Sequence, residues 1–575
     1  MSVDRSITKS SSAEYFSKNL QQVGFSSFTK ATLTTIKEAV DNSLDACEDH
    51  GILPEIFVSV QRLGEGTTRG ADLVKVVITD NGPGLTLEDA EKVFGQYLAS
   101  SKFGRGRCSR GQQGIGISAV TTWAQLTHGT GATVITKTKA MKQAVKAEIA
   151  VDIKKNQGFT KNKETVDWDR GSGVSCEFIM DARIQLNGEA GLLTYLQGTA
   201  LVNPHLRLRY KFLDQEEAML ERVTDQVPTI PERTSPHPHT MKLGEFLAHS
   251  HLFGKITTRK WFKEGFSRVS DSVIQDMIGA GIPVGWFEKA LSILNEDQLK
   301  QMYAVLQNVK LMAPPTKSVM AIGEADLAKS IQRLGEIDFF AVVSRKPTIC
   351  DFKPVQVEVA IARLKDKSEE ERDTPVQILR FANRVPLQFD KAACAMTKAV
   401  ESVNWRPYGL AQPKKTLPQG PYIFAVSVVS PFIKFKNASK ETVDASDELV
   451  EEIRRTLQQC GQKLSAHINR EAKAADVERK MQHIEQFAPI LIDGLCRITF
   501  AKAGRKEKAI EGLAKILGRD SKEAEQELAT AHQKSRDAVR EMADKLDLDH
   551  DELHDMMHGS DEEEAPMAGQ LELLE

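Results

Sequence analysis

Apolar and polar residues follow two different periods along this chain, and these periods predict helices and strands in turn. Residues 29–47 carry apolar side chains at helical spacing, whereas residues 73–79 form a continuous apolar run that is typical of a buried strand. Further strand-like runs lie at 132–138, 174–180, 339–344, 376–382 and 422–430. From residue 446 to about 545 the pattern is helical and charged. We therefore predict a mixed α/β protein that begins with an α/β sandwich and ends in a long helical region.

Two proline-rich segments predict the joints between domains. Residues 228–240 and 313–318 interrupt the periodic patterns. Between them, short helical patterns are separated by Gly and Pro, and Asn295 with Gln298 predicts a capping box at the start of one helix. Beyond residue 545 the chain is acidic, and we expect a disordered tail. The 575 residues suffice for about three or four domains.

Composition excludes several classes of function. The formal net charge is −3, so contact with nucleic acid would depend on local basic patches rather than on a basic field over the whole protein. The seven cysteines form no C-x-x-C pair, so neither a zinc site nor a disulfide framework is indicated. No run of roughly 18 apolar residues occurs, and the first residues lack the apolar segment of a signal peptide. We therefore expect a soluble intracellular protein.

The first predicted helix carries a polar face that is suited to chemistry. Glu38, Asn42 and Asp45 are spaced so that their side chains share one side of the helix. The opposite side is apolar and contains Leu33, Ile36, Val40, Leu44 and Cys47. A carboxylate, an amide and a second carboxylate can hold a polar ligand, but a solvated helix shows the same pattern. This motif alone leaves both interpretations open.

A second motif follows the predicted buried strand. Asp80 ends that strand and is followed by Asn81-Gly82-Pro83-Gly84. A carboxylate at this point can accept a hydrogen bond from an exocyclic amine such as that of adenine, and the glycines let a flat ring approach the backbone. A simple turn at the end of a strand explains the same residues equally well.

The third motif is a glycine-rich loop, residues 111–118, ahead of a predicted helix. Small residues at a helix N-terminus expose backbone N–H groups that bind phosphate oxygens. The preceding stretch, SSKFGRGRCSR, is polar and basic. Such a stretch favours a mobile lid over the strand that a dinucleotide-binding fold would place there.

The order and spacing of the three motifs resemble the ATP-binding fold shared by gyrase, the heat-shock-90 chaperones, histidine kinases and mismatch-repair ATPases, the GHKL family. By this resemblance the chain binds ATP and Mg²⁺. Glu38 is the expected general base, and Asn42 the expected Mg²⁺ ligand, with Glu38 contacting the ion through water. Asp80 is expected to bind adenine together with Gly82 and Gly84.

Further positions follow from the same resemblance. Asp45 is expected to lie in the nucleotide site, and Ser172 stands where the family has a Gly-Thr motif before a strand. The phosphate-binding lid is expected to comprise Ser101, Lys102, Gly111, Gln112, Gln113, Gly114, Ile115, Gly116, Ile117 and Ser118.

Longer runs around the motifs resemble one branch of that family, the B subunits of type IIB DNA topoisomerases (topoisomerase VI). They include KEAVDNSLDAC, VFGQYLASSKFG, SRGQQGIGIS, APPTKSVMAIGE, RFANRVPL and PFIKFKNASK. The resemblance implies a GHKL domain with an N-terminal arm at 1–235, a helix–two-turn–helix domain at 236–313, a transducer at 314–475 and a helical extension with an acidic tail at 476–575.

The same resemblance implies a function and partners. ATP-driven dimerisation is expected to gate the passage of duplex DNA, which relaxes supercoils and decatenates DNA in the cytoplasm, at the nucleoid. Lys440 matches the transducer lysine that contacts the γ-phosphate. None of the seven tyrosines lies beside an acidic cluster suited to DNA cleavage. The cleavage tyrosine is therefore expected from a separate A subunit, in an A₂B₂ heterotetramer.

Two groups of residues are candidates for contact with DNA. The first is a basic cluster around Trp261 and Phe262, for which a solvated helix face is the open alternative. The second matches a Trp-Lys-x-Tyr element of the family, with Arg in place of Lys. The candidates are Lys255, Arg259, Lys260, Lys263, Arg268, Trp405 and Arg406.

Other members of the GHKL family are the rival interpretations. A histidine kinase would place this domain last, and a gyrase-type protein would continue into a metal-binding cleavage domain. The late Asp-x-Asp sequence at 547–549 has no apolar strand before it. A heat-shock-90-type chaperone or a mismatch-repair ATPase remains the alternative, and a non-catalytic DNA scaffold is the rival from a different class. Residues 1–20 are expected to form an arm that crosses to a second copy of the chain.

Overall fold

The computed structural model describes residues 10–512 apart from 101–105, 112, 189, 254, 366–372, 415, 438, 500–503, 506 and 510. The chain divides into two compact units, Met1–Leu464 and Ser465–Glu575. The larger unit contains two sheets and a group of short helices.

An eight-stranded sheet forms the first part of the larger unit. Its strands run along it in the order β5-β4-β3-β6-β2-β1-β7-β8. Only the β1–β7 pair is parallel among the pairs described in this sheet. The strands are β1 (Glu55–Glu65), β2 (Asp72–Thr79), β3 (Ala132–Lys137), β4 (Ala144–Asp152), β5 (Gln157–Val166), β6 (Gly173–Ala182), β7 (Arg207–Phe212) and β8 (Ala218–Leu220).

Helices cover this sheet and supply the cavity-facing residues described below. Helix α2 begins after Ser27, whose side chain accepts a hydrogen bond from the Lys30 N–H, and it buries its apolar side against β2 and β6. The buried residues of the sheet, α2, α3 and α4 form one continuous core. The helices are α1 (Ser12–Lys18), α2 (Phe28–Asp49), α3 (Leu87–Gly95), α4 (Gly116–His128) and α5 (Leu192–Val202).

Five short helices follow and enclose a separate aromatic core. Trp261, Phe262 and Phe246 are fully buried within it. The capping box predicted at Asn295 and Gln298 is present. The helices are α6 (Leu243–Phe253), α7 (Thr258–Gly265), α8 (Asp271–Gly279), α9 (Val284–Glu288) and α10 (Glu296–Asn308).

A six-stranded mixed sheet forms the last part of the larger unit. Its order is β10-β11-β14-β12-β13, and β9 also pairs with β11. Leu201 and Val202, at the end of α5, belong to its hydrophobic core, so the first sheet's helical layer packs directly on the second sheet. The elements are α11 (Glu324–Ile331), β9 (Ile337–Ser344), β10 (Thr348–Cys350), β11 (Lys353–Leu364), β12 (Gln377–Ala382), β13 (Val385–Leu387), α12 (Ala395–Ser402) and β14 (Tyr422–Val429).

The last long element is α13 (Asp447–Ile498). In the larger unit it buries Ile453, Leu457, Cys460 and Leu464. Within the part of the chain that the structure describes, no helix has the length and apolar character needed to cross a membrane.

The main elements predicted from apolar periodicity are confirmed. The helix predicted at 29–47 is α2, and the strands predicted at 73–79, 132–138 and 422–430 are β2, β3 and β14. The edge strand β5 was not predicted, because most of its side chains are exposed and polar and no alternation marks it.

Candidate functional site

One cavity of the larger unit is lined by segments that are distant in sequence. Helix α2 contributes Glu38 and Asn42, the loop before α4 contributes glycines, and the second-sheet region contributes two short segments, 386–389 and 439–441. Among the predicted site residues, those that line the cavity are Glu38, Asn42, Gly111, Gln113, Gly114, Ile115, Gly116, Ile117 and Lys440.

Glu38 lies directly against the beginning of α4. A Cβ atom at Gly116, the first residue of that helix, would overlap the Glu38 carboxylate, so glycine is required for the two elements to approach. Ile115 is the N-cap residue and provides no side-chain cap. The start of α4 therefore lies beside Glu38 without a capping side chain from Ile115, and the first N–H groups of a helix are suited to bind anions.

Gly114 gives the loop before α4 a backbone conformation that glycine adopts more readily than other residues. Its φ is +60°, and a Cβ atom there would lie 2.8 Å from the Ala99 carbonyl oxygen. The Gly114 carbonyl accepts a hydrogen bond from the Leu98 N–H at 2.8 Å. The loop is thus held by backbone contacts, and its glycines line one side of the cavity.

Asp80 is buried at the end of β2, behind α2. Its carboxylate accepts hydrogen bonds from the Ser43 hydroxyl at 2.7 Å, the Gly82 N–H at 2.9 Å and the Val174 N–H at 3.0 Å. Burial raises the pKa of Asp80, and these hydrogen bonds oppose the increase. Gly84 adopts a φ of +75° against the Lys137 backbone. None of the three predicted adenine residues, Asp80, Gly82 and Gly84, lines the cavity that contains Glu38.

Asp45 is a predicted site residue that does not face the cavity. It lies on α2 as predicted, but it is buried and does not line the cavity. Its carboxylate contacts the Arg110 guanidinium at 2.8 Å and accepts from the Gly111 N–H at 3.3 Å. The Asp45 oxygens are thus directed to the base of the glycine loop, and its place in the nucleotide site stays a prediction.

The Ser118 hydroxyl is also turned away from the cavity. It donates to the Gln96 carbonyl at 2.8 Å and is 1% exposed. Ser172 lies in the turn before β6, next to Gly173, which packs on the Asp80 carbonyl. Ser101, Lys102 and Gln112 lie outside the described residues.

Lys440 reaches the glycine loop from the second-sheet region. Its ammonium donates to the Arg110 carbonyl at 2.9 Å, and its backbone has a φ of +55°. Next to it, Glu441 pairs with Lys30 of α2 at 2.8 Å. The Lys30 ammonium also lies 4.1 Å above the Phe389 ring. These contacts hold the segments 386–389 and 439–441 on α2, so the cavity is closed on one side by residues far along the chain.

A buried ionic cluster beneath the glycine loop was not predicted. The Glu48 carboxylate accepts hydrogen bonds from both terminal nitrogens of Arg110, at 2.7 and 2.8 Å, and lies 3.4 Å from an Arg384 nitrogen. His205 Nε2 lies 2.9 Å from the same carboxylate. The one sequence signal was Glu48 itself, which is in phase with Val40 and Leu44 on the apolar side of α2.

Burial and charge act together on the titration of this cluster. Burial lowers the pKa of His205 to about 4 despite the neighbouring Glu48 carboxylate, so the imidazole is neutral at neutral pH. Burial also lowers the pKa of Arg384 to about 10, which leaves it charged. Although burial opposes ionisation of Glu48, the Arg110 and Arg384 guanidiniums hold its pKa well below its usual range.

The predicted basic cluster of the middle helices is engaged in surface ion pairs. Arg259 contacts Asp271 at 3.1 Å and Glu288 at 3.2 Å, and Lys263 contacts Asp271 at 2.7 Å. Lys260 lies 3.8 Å from Glu264. Arg268 is exposed and donates to the Ala313 carbonyl, and Lys255 is exposed.

Three aromatic residues of the DNA-contact prediction are buried. Trp261 and Phe262 belong to the aromatic core, so they do not interleave with the basic side chains at the surface. Trp405 is fully buried, and its indole N–H donates to the Val400 carbonyl at 2.8 Å. Trp405 therefore offers no surface to DNA in this structure, whereas its neighbour Arg406 is exposed.

The described part of the N-terminal arm packs on its own domain. Ala13 is fully buried, and the Phe16 ring stacks on Tyr97 with centroids 5.3 Å apart. Residues 10–20 thus pack within this chain, residues 1–9 lie outside the described residues, and the crossing of the arm to a second copy stays a prediction.

Two family models match separate parts of the chain. Residues 30–174 match the family described as histidine kinase-, DNA gyrase B-, and HSP90-like ATPase, and residues 314–480 match the topoisomerase VI B subunit transducer. The B subunit of DNA gyrase from Myxococcus xanthus is 13% identical, covers 79% of this chain and 95% of its own, and gives a TM-score of 0.39.

Two curated relatives are named as the B subunit of type 2 DNA topoisomerase 6. The protein from Archaeoglobus fulgidus is 35% identical over 486 residues, which cover 84% of this chain and 79% of the relative. The protein from Methanococcoides burtonii is 36% identical over 460 residues, which cover 80% of this chain and 72% of the relative. With both domain matches in the expected order, this chain belongs to the family of type 2 DNA topoisomerase 6 B subunits, the ATP-hydrolysing subunits of type IIB topoisomerases.

Proposed function

We propose that the cavity beside Glu38 is the site at which this chain binds and hydrolyses ATP to drive DNA strand passage. One observation carries the proposal. A carboxylate, the N-terminal end of α4 and the Lys440 ammonium come together around one cavity, although Lys440 lies more than 300 residues beyond the other two. Hydrolysis of a nucleoside triphosphate needs such a combination of a general base and groups that bind the phosphates.

The chemistry follows from the positions of these groups. Glu38 is the carboxylate suited to remove a proton from the attacking water, because it lies beside the loop that would hold the phosphates. The backbone N–H groups at the start of α4 and the Lys440 ammonium would stabilise the negative charge that develops on the transferred phosphate. The cavity wall at 386–389 and 439–441 would limit the access of solvent.

The side chains also fit a magnesium ion. Asn42 lies one helical turn after Glu38, and both line the cavity. Mg²⁺ prefers oxygen ligands and is commonly held by one or two side chains together with substrate phosphates. Bound there, the ion would neutralise phosphate charge, with Asn42 as its protein ligand and Glu38 contacting it through water.

Asp80 is proposed as the adenine contact, with Gly82 and Gly84 beside it. Its second carboxylate oxygen accepts from Ser43, and that hydrogen bond fixes the orientation of the group. Ser172, Ser101, Lys102 and Gln112 remain proposed members of the site on the strength of the family resemblance. Domain boundaries near residues 235, 313 and 475 are proposed on the same ground.

The relatives' name implies a partner subunit and DNA as the substrate. We propose an A₂B₂ assembly in which the A subunit supplies the cleavage tyrosine, while ATP binding closes two copies of this chain on each other. A nucleotide that binds only the closed state favours it by linkage. Lys255, Arg259, Lys260, Lys263, Arg268 and Arg406 are the proposed DNA contacts, and the cytoplasm, at the nucleoid, is the proposed location.

A plasmid assay tests this proposal. The purified chain alone is expected to hydrolyse ATP and to leave supercoiled plasmid intact. Together with its A subunit, it is expected to relax the plasmid in an ATP-dependent reaction, and the Glu38→Gln complex is expected to lose that relaxation. A covalent adduct between this chain and DNA, or relaxation without the A subunit, would contradict the proposed division of roles.

A further inference from the structure

A strained turn carries Arg384 into the ATP-binding region. Strands β12 and β13 are joined by Asn383 and Arg384 alone, and the two residues have φ values of +50° and +64°. Such two-residue turns favour Asn at the first position and Gly at the second. Asn383 fits, since its side chain accepts from the Ser430 N–H at 2.9 Å. Arg384 does not fit, and a non-glycine residue in this conformation costs roughly 1 kcal/mol.

The Arg384 side chain is buried where the two sheets meet. Its Nε donates to the Val202 carbonyl at 3.1 Å, and one of its terminal nitrogens lies 3.4 Å from Glu48. Val202 is the last residue of α5, so its carbonyl has no partner within the helix, and a cation at this end is favourable. The guanidinium thus bridges α5 and α2 from the second-sheet region.

Glu48 connects Arg384 to the glycine loop, because its carboxylate contacts both Arg384 and Arg110. The carboxylate that Arg384 approaches also binds both terminal nitrogens of Arg110. The backbone carbonyl of Arg110 is in turn the acceptor of the Lys440 ammonium. A continuous series of contacts therefore runs from Arg384 through Glu48 and Arg110 to Lys440, and both of its ends belong to the second-sheet region.

The charges of the buried side chains around Arg110 balance one another. Two guanidiniums, Arg110 and Arg384, face two carboxylates, Asp45 and Glu48, while His205 is neutral at neutral pH. All four charged side chains are nearly inaccessible to solvent. Loss of one buried partner leaves the others without compensation, so the arrangement is stiff and responds as a unit.

We propose that Arg384 is a positioning residue that sets the Arg110 carbonyl for Lys440, so that the transducer distinguishes ATP from ADP. This inference rests on the proposed function. Lys440 divides its contacts between the Arg110 carbonyl and the γ-phosphate, which ADP lacks. When Arg384 is removed, the glycine loop is no longer fixed relative to the transducer, and the γ-phosphate contact loses its advantage. Contacts that ADP also makes are unaffected.

Nucleotide affinities of three variants test the inference in the full-length protein. Arg384→Gly removes the guanidinium and places at this position the residue that the turn favours, so we expect it to fold. Arg384→Lys keeps the charge but loses the fork that bridges two acceptors. Arg333→Gln is the matched control, because Arg333 also donates from the second-sheet region to α5, at the Ala200 carbonyl, 3.2 Å away.

The readout is the ratio of the Kd for ADP to the Kd for a non-hydrolysable ATP analogue, measured by calorimetry. We expect Arg384→Gly to reduce this preference about tenfold while the affinity for ADP stays near that of wild type. Arg384→Lys is expected to recover part of the preference, and Arg333→Gln to retain all of it. A role in folding alone would lower both affinities together or change neither.

The inference is overturned if Arg384→Gly keeps the wild-type preference, or if its affinity for ADP falls in parallel with that for the analogue. If the glycine variant does not fold, the lysine variant decides. A reduced preference with unchanged affinity for ADP then supports the positioning role, and a wild-type preference overturns it. A wild-type protein that binds no nucleotide contradicts the proposed function itself, and the inference with it.

Discussion

Arginine side chains contact carboxylates in two regions of this molecule, but in opposite surroundings. In the buried cluster, Arg110 is 1% exposed and its partner Glu48 is 2% exposed. In the middle helices, Arg259 is 29% exposed and its partners Asp271 and Glu288 are 58% and 63% exposed. The buried groups cannot exchange their partners for water, so they fix the geometry of the glycine loop. The exposed groups can release their carboxylates and bind another anion, such as a DNA phosphate.

The largest difference between the two clusters is expected in stability. Glu48→Gln leaves buried guanidiniums with too little compensating charge, and we expect it to lower the free energy of unfolding by roughly 3–5 kcal/mol. Asp271→Asn removes an exposed carboxylate whose partners are hydrated, and we expect a much smaller change. Urea denaturation of both variants measures the difference. Equal losses would contradict the distinction between a fixed and an exchangeable cluster.

A substitution at Gly116 tests whether the close approach of α4 to Glu38 is needed for hydrolysis. Gly116→Ala places a methyl group where the Glu38 carboxylate lies, so we expect ATP hydrolysis to fall by about 100-fold or more as the base is displaced. Gly64→Ala is the control, because no atom lies within 4 Å of a Cβ at that position. Steady-state hydrolysis near wild type in Gly116→Ala would show that Glu38 is not fixed by α4.

Asp41 extends the comparison to pH. Burial raises the pKa of Asp41 to about 7, whereas Lys263 and Arg259 lower the pKa of exposed Asp271. Between the ordinary pKa of an aspartate and about 7, the folded protein holds a proton on Asp41 that the unfolded chain has lost. Asp41 therefore costs increasing stability as the pH rises from the ordinary aspartate pKa to about 7, and the full cost remains above that pH.

Replacing Asp41 with its neutral isostere removes that cost. We expect the stability gained in Asp41→Asn to increase by roughly 3 kcal/mol between pH 5 and pH 8. Asp271→Asn is the control and is expected to show no such increase over this range. Urea denaturation at the two pH values measures both, and a gain in Asp41→Asn that is the same at pH 5 and pH 8 would mean that Asp41 is already ionised at pH 5.

The smallest expected effect concerns the exposed cluster and DNA. If Lys263 exchanges Asp271 for a phosphate, Lys263→Gln is expected to reduce the slope of log affinity against log salt by about 1. Lys300→Gln is the matched control, since Lys300 forms a similar pair with Glu296 at 2.8 Å in the same group of helices but outside the cluster. An unchanged slope in Lys263→Gln would show that Lys263 does not contact DNA phosphate and that this cluster is a solvated helix face.

Local sequence patterns predicted the parts of the site that depend on local structure. Helical spacing predicted that Glu38 and Asn42 share a face, and family resemblance predicted that Lys440 reaches the nucleotide pocket. All three residues line the cavity together with the glycine loop. The same spacing was misleading for Asp45, because the helix face that borders the cavity at Glu38 is buried about two turns further along α2.

The remaining parts of the site depend on contacts that no local pattern contains. Glu48, Arg110 and Arg384 come together only when α2, the glycine loop and a turn of the second sheet pack on one another. Trp405 could not be recognised as buried from its motif, because its pocket is formed by Phe424 and Tyr408 in the folded sheet region. An arginine in the glycine-favouring position of a two-residue turn was the one visible signal for Arg384.

Hydrolysis and nucleotide affinity in Glu38→Gln test the central claim most directly, because the glutamine keeps the shape of the side chain and loses only the base. Glu88→Gln is the matched control, since Glu88 lies on α3 and pairs with Lys92 at the surface. We predict that Glu38→Gln lowers steady-state ATP hydrolysis by about 100-fold or more while nucleotide binding stays near wild type. Hydrolysis in Glu38→Gln that equals that of Glu88→Gln would contradict the assignment of Glu38 as the base and of this cavity as the site of ATP hydrolysis.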